Sequence, residues 1–388
     1  MSNKINPFEF MLPTTVKFGD NIIEEIPASL EAYGAKKPIV VTDPALEKLG
    51  AAKRVTDVLE KAGITGTKVF TNVKPNPRDV DVEELAKLAK DDGIDSFIAL
   101  GGGSPMDTAK GASLLVSNGG CVKDWEGYVE PKNPTPPLFV IPTTVGTGSE
   151  VTFWAVIKDT KENYKLSVGT PAIGPNIAFV DPTFVDTLPG SIVAATGMDA
   201  LTHAIEGYTA NLSEPITDAC GLHAIKLISR NIRAATYSDD HDAKANMLIG
   251  SLIAGICFGN SDVTACHCMS EALGGLYDMP HGVANAIMLP YTMEYNYVSD
   301  VQKFADVAEA MGVNTRNMST AEAAVAAVNE VKQLNVDLNI PKLKDVGGKA
   351  EDLDELAMRS AGNPAVPSNP RPVTEADFKV MIAKALEE

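Results

Sequence analysis

Short apolar runs alternate with amphipathic stretches through the first half of the chain, a pattern that predicts strands interleaved with helices. Pro38-Ile-Val-Val-Thr42 reads as a buried strand, Ala51 to Ala62 as a helix and Thr67-Lys-Val-Phe-Thr71 as a second strand. Val82 to Lys90 has helical spacing, Ser96-Phe-Ile-Ala-Leu100 is a third strand running into glycines, and Leu138-Phe-Val-Ile141 is a fourth. Strands alternating with helices build a parallel α/β sheet, with ligands at the carboxyl ends of its strands. After about Pro189 the character changes, and 191–210, 216–236, 241–258, 262–276, 300–311, 319–335 and 374–387 are helix-like with few β-branched runs between them. The expected architecture is an α/β N-terminal domain over residues 1–189, followed by an all-α C-terminal domain over 190–388, with a cleft between them.

A chain of 388 residues with 45% apolar content can supply two cores. No apolar run approaches the length of a bilayer crossing, and Met1 to Pro7 has no charged-then-apolar secretory pattern, so a cytoplasmic, membrane-free protein is expected. The net charge of −18 disfavours nucleic acid, whose phosphates reward clustered Lys and Arg. The five cysteines, at 121, 220, 257, 266 and 268, are odd in number and scattered, which suits a reducing compartment better than a disulfide framework.

Two loops could hold a phosphate. Gly101-Gly-Gly-Ser-Pro-Met-Asp-Thr-Ala-Lys110 follows a strand and opens a helix, with Ser104 as the expected N-cap, Pro105 at the first helical position and Asp107 as the acid of a capping box. Glycines before a helix N-terminus let backbone N–H groups approach an anion, although glycines alone serve a tight strand-to-helix turn equally well. The spacing is not GxGxxG, so any Rossmann-like assignment departs from that fingerprint. Pro142-Thr-Thr-Val-Gly-Thr-Gly-Ser-Glu150, after the fourth strand, offers hydroxyls and small residues for the same task. Asp43 closes the first strand, where an acid either accepts the hydroxyls of an adenosine ribose or caps the turn before Pro44.

Gly197-Met-Asp-Ala-Leu-Thr-His-Ala-Ile-Glu206 places Asp199 and His203 one helical turn apart on one face. His267 lies in Cys266-His-Cys-Met-Ser-Glu271, and His281 follows a Gly-Gly helix stop, so three of the five histidines fall in these segments. Imidazoles with one carboxylate suit Fe, Zn, Co or Ni, whereas the Asp–His pair alone is more often a surface ion pair. Cys266 and Cys268 flank His267 on other helix faces and read as core thiols.

Taken in order, Lys-Pro-Asn-Pro at 74–77, the loops at 101–110 and 142–152, Phe-Val-Asp-Pro at 179–182, Gly-Met-Asp-Ala-Leu-Thr-His-Ala at 197–204 and Pro-His-Gly-Val-Ala-Asn-Ala-Ile at 280–287 cover nearly the whole chain. At these residues the sequence resembles the iron-containing (group III) alcohol dehydrogenases. The resemblance implies a Rossmann-like dinucleotide-binding domain and a helical metal-binding domain, with NAD and a divalent metal, Fe(2+) before Zn(2+), as cofactors. It implies Asp199, His203, His267 and His281 as metal ligands, with His267 also at the catalytic centre. Asp43, Asn76, Gly102, Gly103, Ser104, Thr143, Thr144, Thr147 and Lys165 are the implied cofactor contacts, and Trp154 and Phe258 the walls of a substrate pocket. The segment Phe10 to Gly19 resembles the family's edge strand, which often joins a dimer, so a homo-oligomer is expected. Many members carry a second histidine one turn after the third ligand, often assigned to proton relay. Here that position is Glu271.

The expected reaction is hydride transfer between NAD(H) and a small alcohol or its aldehyde, with the metal as Lewis acid. Glycerol dehydrogenases and dehydroquinate synthases share the architecture but usually differ in ligand spacing, and the synthase's extra phosphate-binding cations are not found here. A non-catalytic nucleotide- or metal-binding protein is disfavoured by the intact ligands and loops.

Overall fold

The computed structural model describes residues 7–388 and divides them into two compact units, one spanning Leu12–Thr187 and the other Leu188–Glu388 together with residues 7–11. The reading of the N-terminal residues as free of a secretory pattern lies, for 1–6, outside the described residues.

The first unit runs β1 (Thr15–Phe18), α1 (Ile26–Ala32), β2 (Pro38–Val41), α2 (Pro44–Lys48), α3 (Ala51–Lys61), β3 (Lys68–Phe70), α4 (Asp79–Asp92), β4 (Ser96–Gly101) and α5 (Gly103–Asn118). It continues with β5 (Gly127–Tyr128), β6 (Leu138–Pro142), β7 (Trp154–Asp159), β8 (Tyr164–Gly169) and β9 (Ile177–Val180). Six strands form one wholly parallel sheet in the order β1-β9-β6-β4-β2-β3. Every position of β2, β4, β6 and β9 is buried, because helices cover a parallel sheet and its strands read as continuous apolar runs. Val40, Ile98, Phe139 and Phe179 on the sheet pack with Ile26 and Leu30 of α1 and Val55 and Leu59 of α3.

The second unit is helical: α6 (Gly190–Thr209), α7 (Pro215–Tyr237), α8 (His241–Ser261), α9 (Ala265–Tyr277), α10 (His281–Asn296), α11 (Val301–Met311), α12 (Thr320–Asp337), α13 (Leu353–Ala361) and α14 (Glu375–Glu387). Residues 197–209 of α6 are all buried, as in a helix surrounded by others. Among the described residues no single helix is long and apolar enough to cross a membrane.

Several elements, among them α10, the β7–β8 hairpin and α13, are not announced by the apolar pattern. Helix α10 is buried continuously from Ala284 to Met293 and carries Pro290 inside it, so it offers neither a polar face nor an uninterrupted helical sequence. The β7–β8 hairpin follows a loop without a break in composition, and α13 has only 9 residues. The stretch read as one helix over 262–276 begins only at Ala265, since Asp262 has φ 84° and Thr264 is extended. The expected capping by Ser104 is also corrected. Helix α5 starts at Gly103 with Gly102 as N-cap and no side-chain cap bond, which puts Ser104 inside the first turn. Asp107 accepts instead from Ser149 Oγ at 2.8 Å and Val156 N at 3.0 Å, far along the chain.

Candidate functional site

In the helical unit, Asp199 and His203 come from α6, His267 from α9 and His281 from the first position of α10. One donor atom from each lies within 4.8 Å of the others. Close helix packing brings them together: a Cβ on Gly282 would fall 2.4 Å from the Ala195 carbonyl oxygen, so only glycine lets the start of α10 rest on the α6 backbone. Asp199, His203 and His267 are buried, while His281 is partly open. The imidazole centroids of His203 and His267 are 4.6 Å apart, and those of His267 and His281 5.2 Å.

Two buried residues that sequence reasoning missed hold this cluster. Glu206 accepts from His267 Nδ1 through Oε2, and from Thr264 Oγ1 and the Cys266 amide (2.8 Å) through Oε1. Asn285 Nδ2 donates to Asp199 Oδ1 at 2.7 Å and lies 3.1 Å from His267 Nε2 and 3.3 Å from His281 Nε2. Helical spacing could have found both: Glu206 follows His203 by three residues, and Asn285 follows His281 by four. Burial alone would push the His267 imidazole down, but the charge and hydrogen bond of Glu206 carry it above 6.5. Burial holds the Cys266 and Cys268 thiols well above 9, as inert core groups.

The donor set fits a divalent transition metal: one carboxylate and three imidazoles face one point, and the Glu206 contact at His267 Nδ1 leaves Nε2 as the lone-pair nitrogen. Phe258 stacks on His203, with centroids 4.2 Å apart and planes within 17°. Glu271 Oε2 accepts from Asn363 Nδ2 at 2.6 Å.

In the α/β unit, Asp43, Asn76, the first glycine loop and the 142–150 loop follow the carboxyl ends of β2, β3, β4 and β6, four neighbouring strands. The two loops touch. A Cβ on Gly102 would be 3.0 Å from Thr144 Oγ1, and one on Gly103 would be 3.4 Å from Thr147 Cγ2. Thr143 donates its amide to the Gly101 carbonyl at 3.0 Å. Thr144 Oγ1 is buried with no hydrogen-bond partner, a hydroxyl suited to a phosphate oxygen above the uncapped start of α5. Asp43 does cap α2, accepting from the amides of Ala45 (2.8 Å) and Leu46 (3.0 Å), with both bonds on Oδ1. Asn76 takes the left-handed conformation (φ 54°) between two prolines. Lys165 lies on β8 opposite Lys158, and Trp154 covers Gly169, where a Cβ would come within 2.2 Å of the indole.

The family model for iron-containing alcohol dehydrogenase matches residues 13–182, and the C-terminal model of the Fe-containing alcohol dehydrogenase family matches residues 193–386. The chain belongs to the iron-containing alcohol dehydrogenase family, and is thus an oxidoreductase of the alcohol–aldehyde couple. It is 37% identical over 382 residues to a 1,3-propanediol dehydrogenase of Citrobacter freundii, covering 97% of this chain and 98% of that one. It is 35% identical over 379 residues to an NAD-dependent methanol dehydrogenase of Bacillus methanolicus, covering 97% and 99%. The solved alcohol dehydrogenase from Oenococcus oeni superposes with a TM-score of 0.94 at 38% identity, covering 98% and 100%.

Proposed function

We propose that this protein is an NAD-dependent, metal-requiring dehydrogenase that interconverts a small neutral primary alcohol and its aldehyde. The observation that carries this reading is the convergence of Asp199, His203, His267 and His281, within a chain similar to NAD-dependent and diol-oxidising relatives. Those four residues would hold the metal, Fe(2+) first and Zn(2+) as the alternative. When bound, the metal supplies Lewis acidity to the substrate oxygen, and NAD accepts or donates the hydride.

The chain's own residues bind and orient. Gly102, Gly103, Ser104, Thr143, Thr144 and Thr147 form the pyrophosphate cradle, while Asp43, Asn76 and Lys165 contact the rest of the dinucleotide. Asp43 Oδ2 stays clear of the two capping bonds and would accept the adenosine ribose hydroxyls. Glu206 fixes the tautomer of His267. Phe258 would wall the substrate side of the metal cluster while bracing His203. Trp154, in the α/β unit, is the other aromatic we assign to substrate binding. Glu271 relays the alcohol proton: its bond to Asn363 takes Oε2, and its charge disfavours anionic substrates.

Dimerisation through β1 is supported by its position at the sheet edge and by the exposure of Leu12 and Phe18 in the same segment. The five free cysteines fit a cytoplasmic, reducing setting. The test is a panel of alcohols and aldehydes run in both directions with chelated, iron-, zinc- and manganese-loaded protein, read as NADH absorbance. Metal-dependent turnover of short neutral alcohols is expected. Full activity in chelated, metal-free protein overturns the reading.

A further inference from the structure

Lys110 of α5 is a fully buried lysine in the α/β unit. Its three N–H bonds are shared among four acceptors: the Ser149 carbonyl (2.8 Å), Ser149 Oγ (2.7 Å), Thr152 Oγ1 (3.2 Å) and the Trp154 carbonyl (2.8 Å). All four acceptors belong to one run, from the end of the second loop into β7. Asp107, one turn earlier on the same helix, accepts from Ser149 Oγ and from the Val156 amide, with its carboxylate 3.7 Å from Lys110 Nζ. Ser149 Oγ is therefore shared, accepting from the lysine and donating to the aspartate.

Burial pushes the Lys110 amine down to about 8, raises the Asp107 carboxyl, and lifts the neighbouring buried Glu150 to about 7. Well-packed apolar residues often do as well as, or better than, a buried ion pair for stability alone, so such a pair is better explained by the geometry it specifies. Here that geometry is the relation between the two glycine loops. They meet at their tips, where Gly102 and Gly103 face Thr144 and Thr147, and they are tied at their roots by Lys110 and Asp107. The contact is tight along the helix as well, since a Cβ on Gly111 would fall 2.9 Å from Val82 Cγ1 and 3.0 Å from Ile157 Cδ1.

The geometry points to Lys110 as a positioning residue, with Asp107, for the dinucleotide: together they lock the 142–152 segment against the start of α5 and set the width of the pyrophosphate cradle. Lys110 touches neither cofactor nor substrate in this role. The inference rests on the reading that these two loops hold NAD.

The test uses the metal-loaded enzyme and NADH itself as probe. Lys110→Met is combined with Asp107→Asn so that neither member of this ion pair is left buried without the other. In folded protein, confirmed by circular dichroism and unchanged metal content, the Kd for NADH is expected to rise about tenfold or more, because small misplacements of a binding loop carry large penalties. kcat at saturating NAD should change by less than about threefold, since the metal-bearing helices are untouched. A purely structural lysine would lower the melting temperature and leave the Kd of the folded protein alone; a Kd within about twofold of the parent overturns the proposal. Should the double variant not fold, Ser149→Ala removes the shared hydroxyl with little volume change. A rise of about threefold there supports the lock, and an unchanged Kd overturns it. Thr147→Trp separates this inference from the reading beneath it. If bulk at that loop tip leaves NADH binding intact, the loops do not hold the dinucleotide. If it abolishes binding while the Lys110/Asp107 variant binds normally, only the positioning role fails.

Discussion

Glu206→Gln changes one atom at the hinge of the metal-ligand cluster, and its effect can be worked out from the hydrogen bonds it disturbs. The carboxylate is buried and receives three donors: His267 Nδ1, the Thr264 hydroxyl and the Cys266 amide. Glutamine has a single acceptor oxygen. Turned toward His267, it sets its own NH2 against the Cys266 amide, donor against donor. Turned the other way, it presents NH2 to Nδ1 and drives the imidazole proton onto Nε2, the nitrogen nearest the cluster. A buried donor left unsatisfied costs about 1–3 kcal/mol, and a histidine that loses its orienting partner typically costs about 10–100-fold in metal affinity; the two ranges overlap. We expect Zn(2+) or Co(2+) affinity, measured by chelator competition, to fall within that range while the far-ultraviolet circular dichroism stays unchanged. The Co(2+) visible spectrum supplies a readout independent of turnover, because ligand rearrangement shifts its bands. Affinity within about twofold of the parent would show that His267 keeps its tautomer without Glu206, and the reasoning would fail.

Asp43→Gly should narrow or reverse a preference for NAD over NADP, since a carboxylate beside a 2′-phosphate can cost several kcal/mol; glycine is chosen because it replaces an N-cap at a cost of only a few tenths of a kcal/mol. Equal kcat/KM for both cofactors in the parent enzyme would refute it. Glu150 is buried and its carboxyl is lifted from 4.5 to about 7 by burial, so its favourable contribution is fully present below pH 4.5 and lost as pH rises through 7. Glu150→Gln should therefore gain up to about 3 kcal/mol of stability relative to the parent between pH 5 and pH 8.5, seen as a smaller fall in melting temperature; parallel pH curves would contradict this. Glu271→Gln with metal retained should lower kcat and flatten its pH profile, and a profile identical to the parent's would mean that Glu271 moves no proton.

Much of the architecture was legible because burial leaves a periodic trace. Strands β2, β4 and β6 are uninterrupted apolar runs, and helices α6, α7, α11, α12 and α14 lie close to the stretches their spacing marks. The same logic failed at α10, which is apolar nearly all round and breaks its own pattern with Pro290. Ser104 misled for a local reason. Serine before proline is a strong helix-start signal, but Gly102 already lets the backbone enter the helix two residues earlier, with no side-chain cap.

The site divides along the same line. The metal-facing residues were readable because their chemistry is rare, with three of the five histidines in short motifs. The groups that orient them, Glu206 and Asn285, stand at helical spacing from the ligands, but glutamate and asparagine are common residues and spacing alone does not single them out. Glu206 stands in the same quoted motif as Asp199 and His203, yet nothing in that motif says that its carboxylate receives donors 58 and 61 residues away. Glu271 shows the limit from the other side. Helical spacing gives its face, one turn after His267, but its partner Asn363 lies 92 residues further on. The relay proposed for that carboxylate falls to the oxygen that Asn363 does not use, and only tertiary structure tells which oxygen that is. A residue's type and spacing can thus nominate a metal ligand, while a supporting role can be assigned only from the atoms around it.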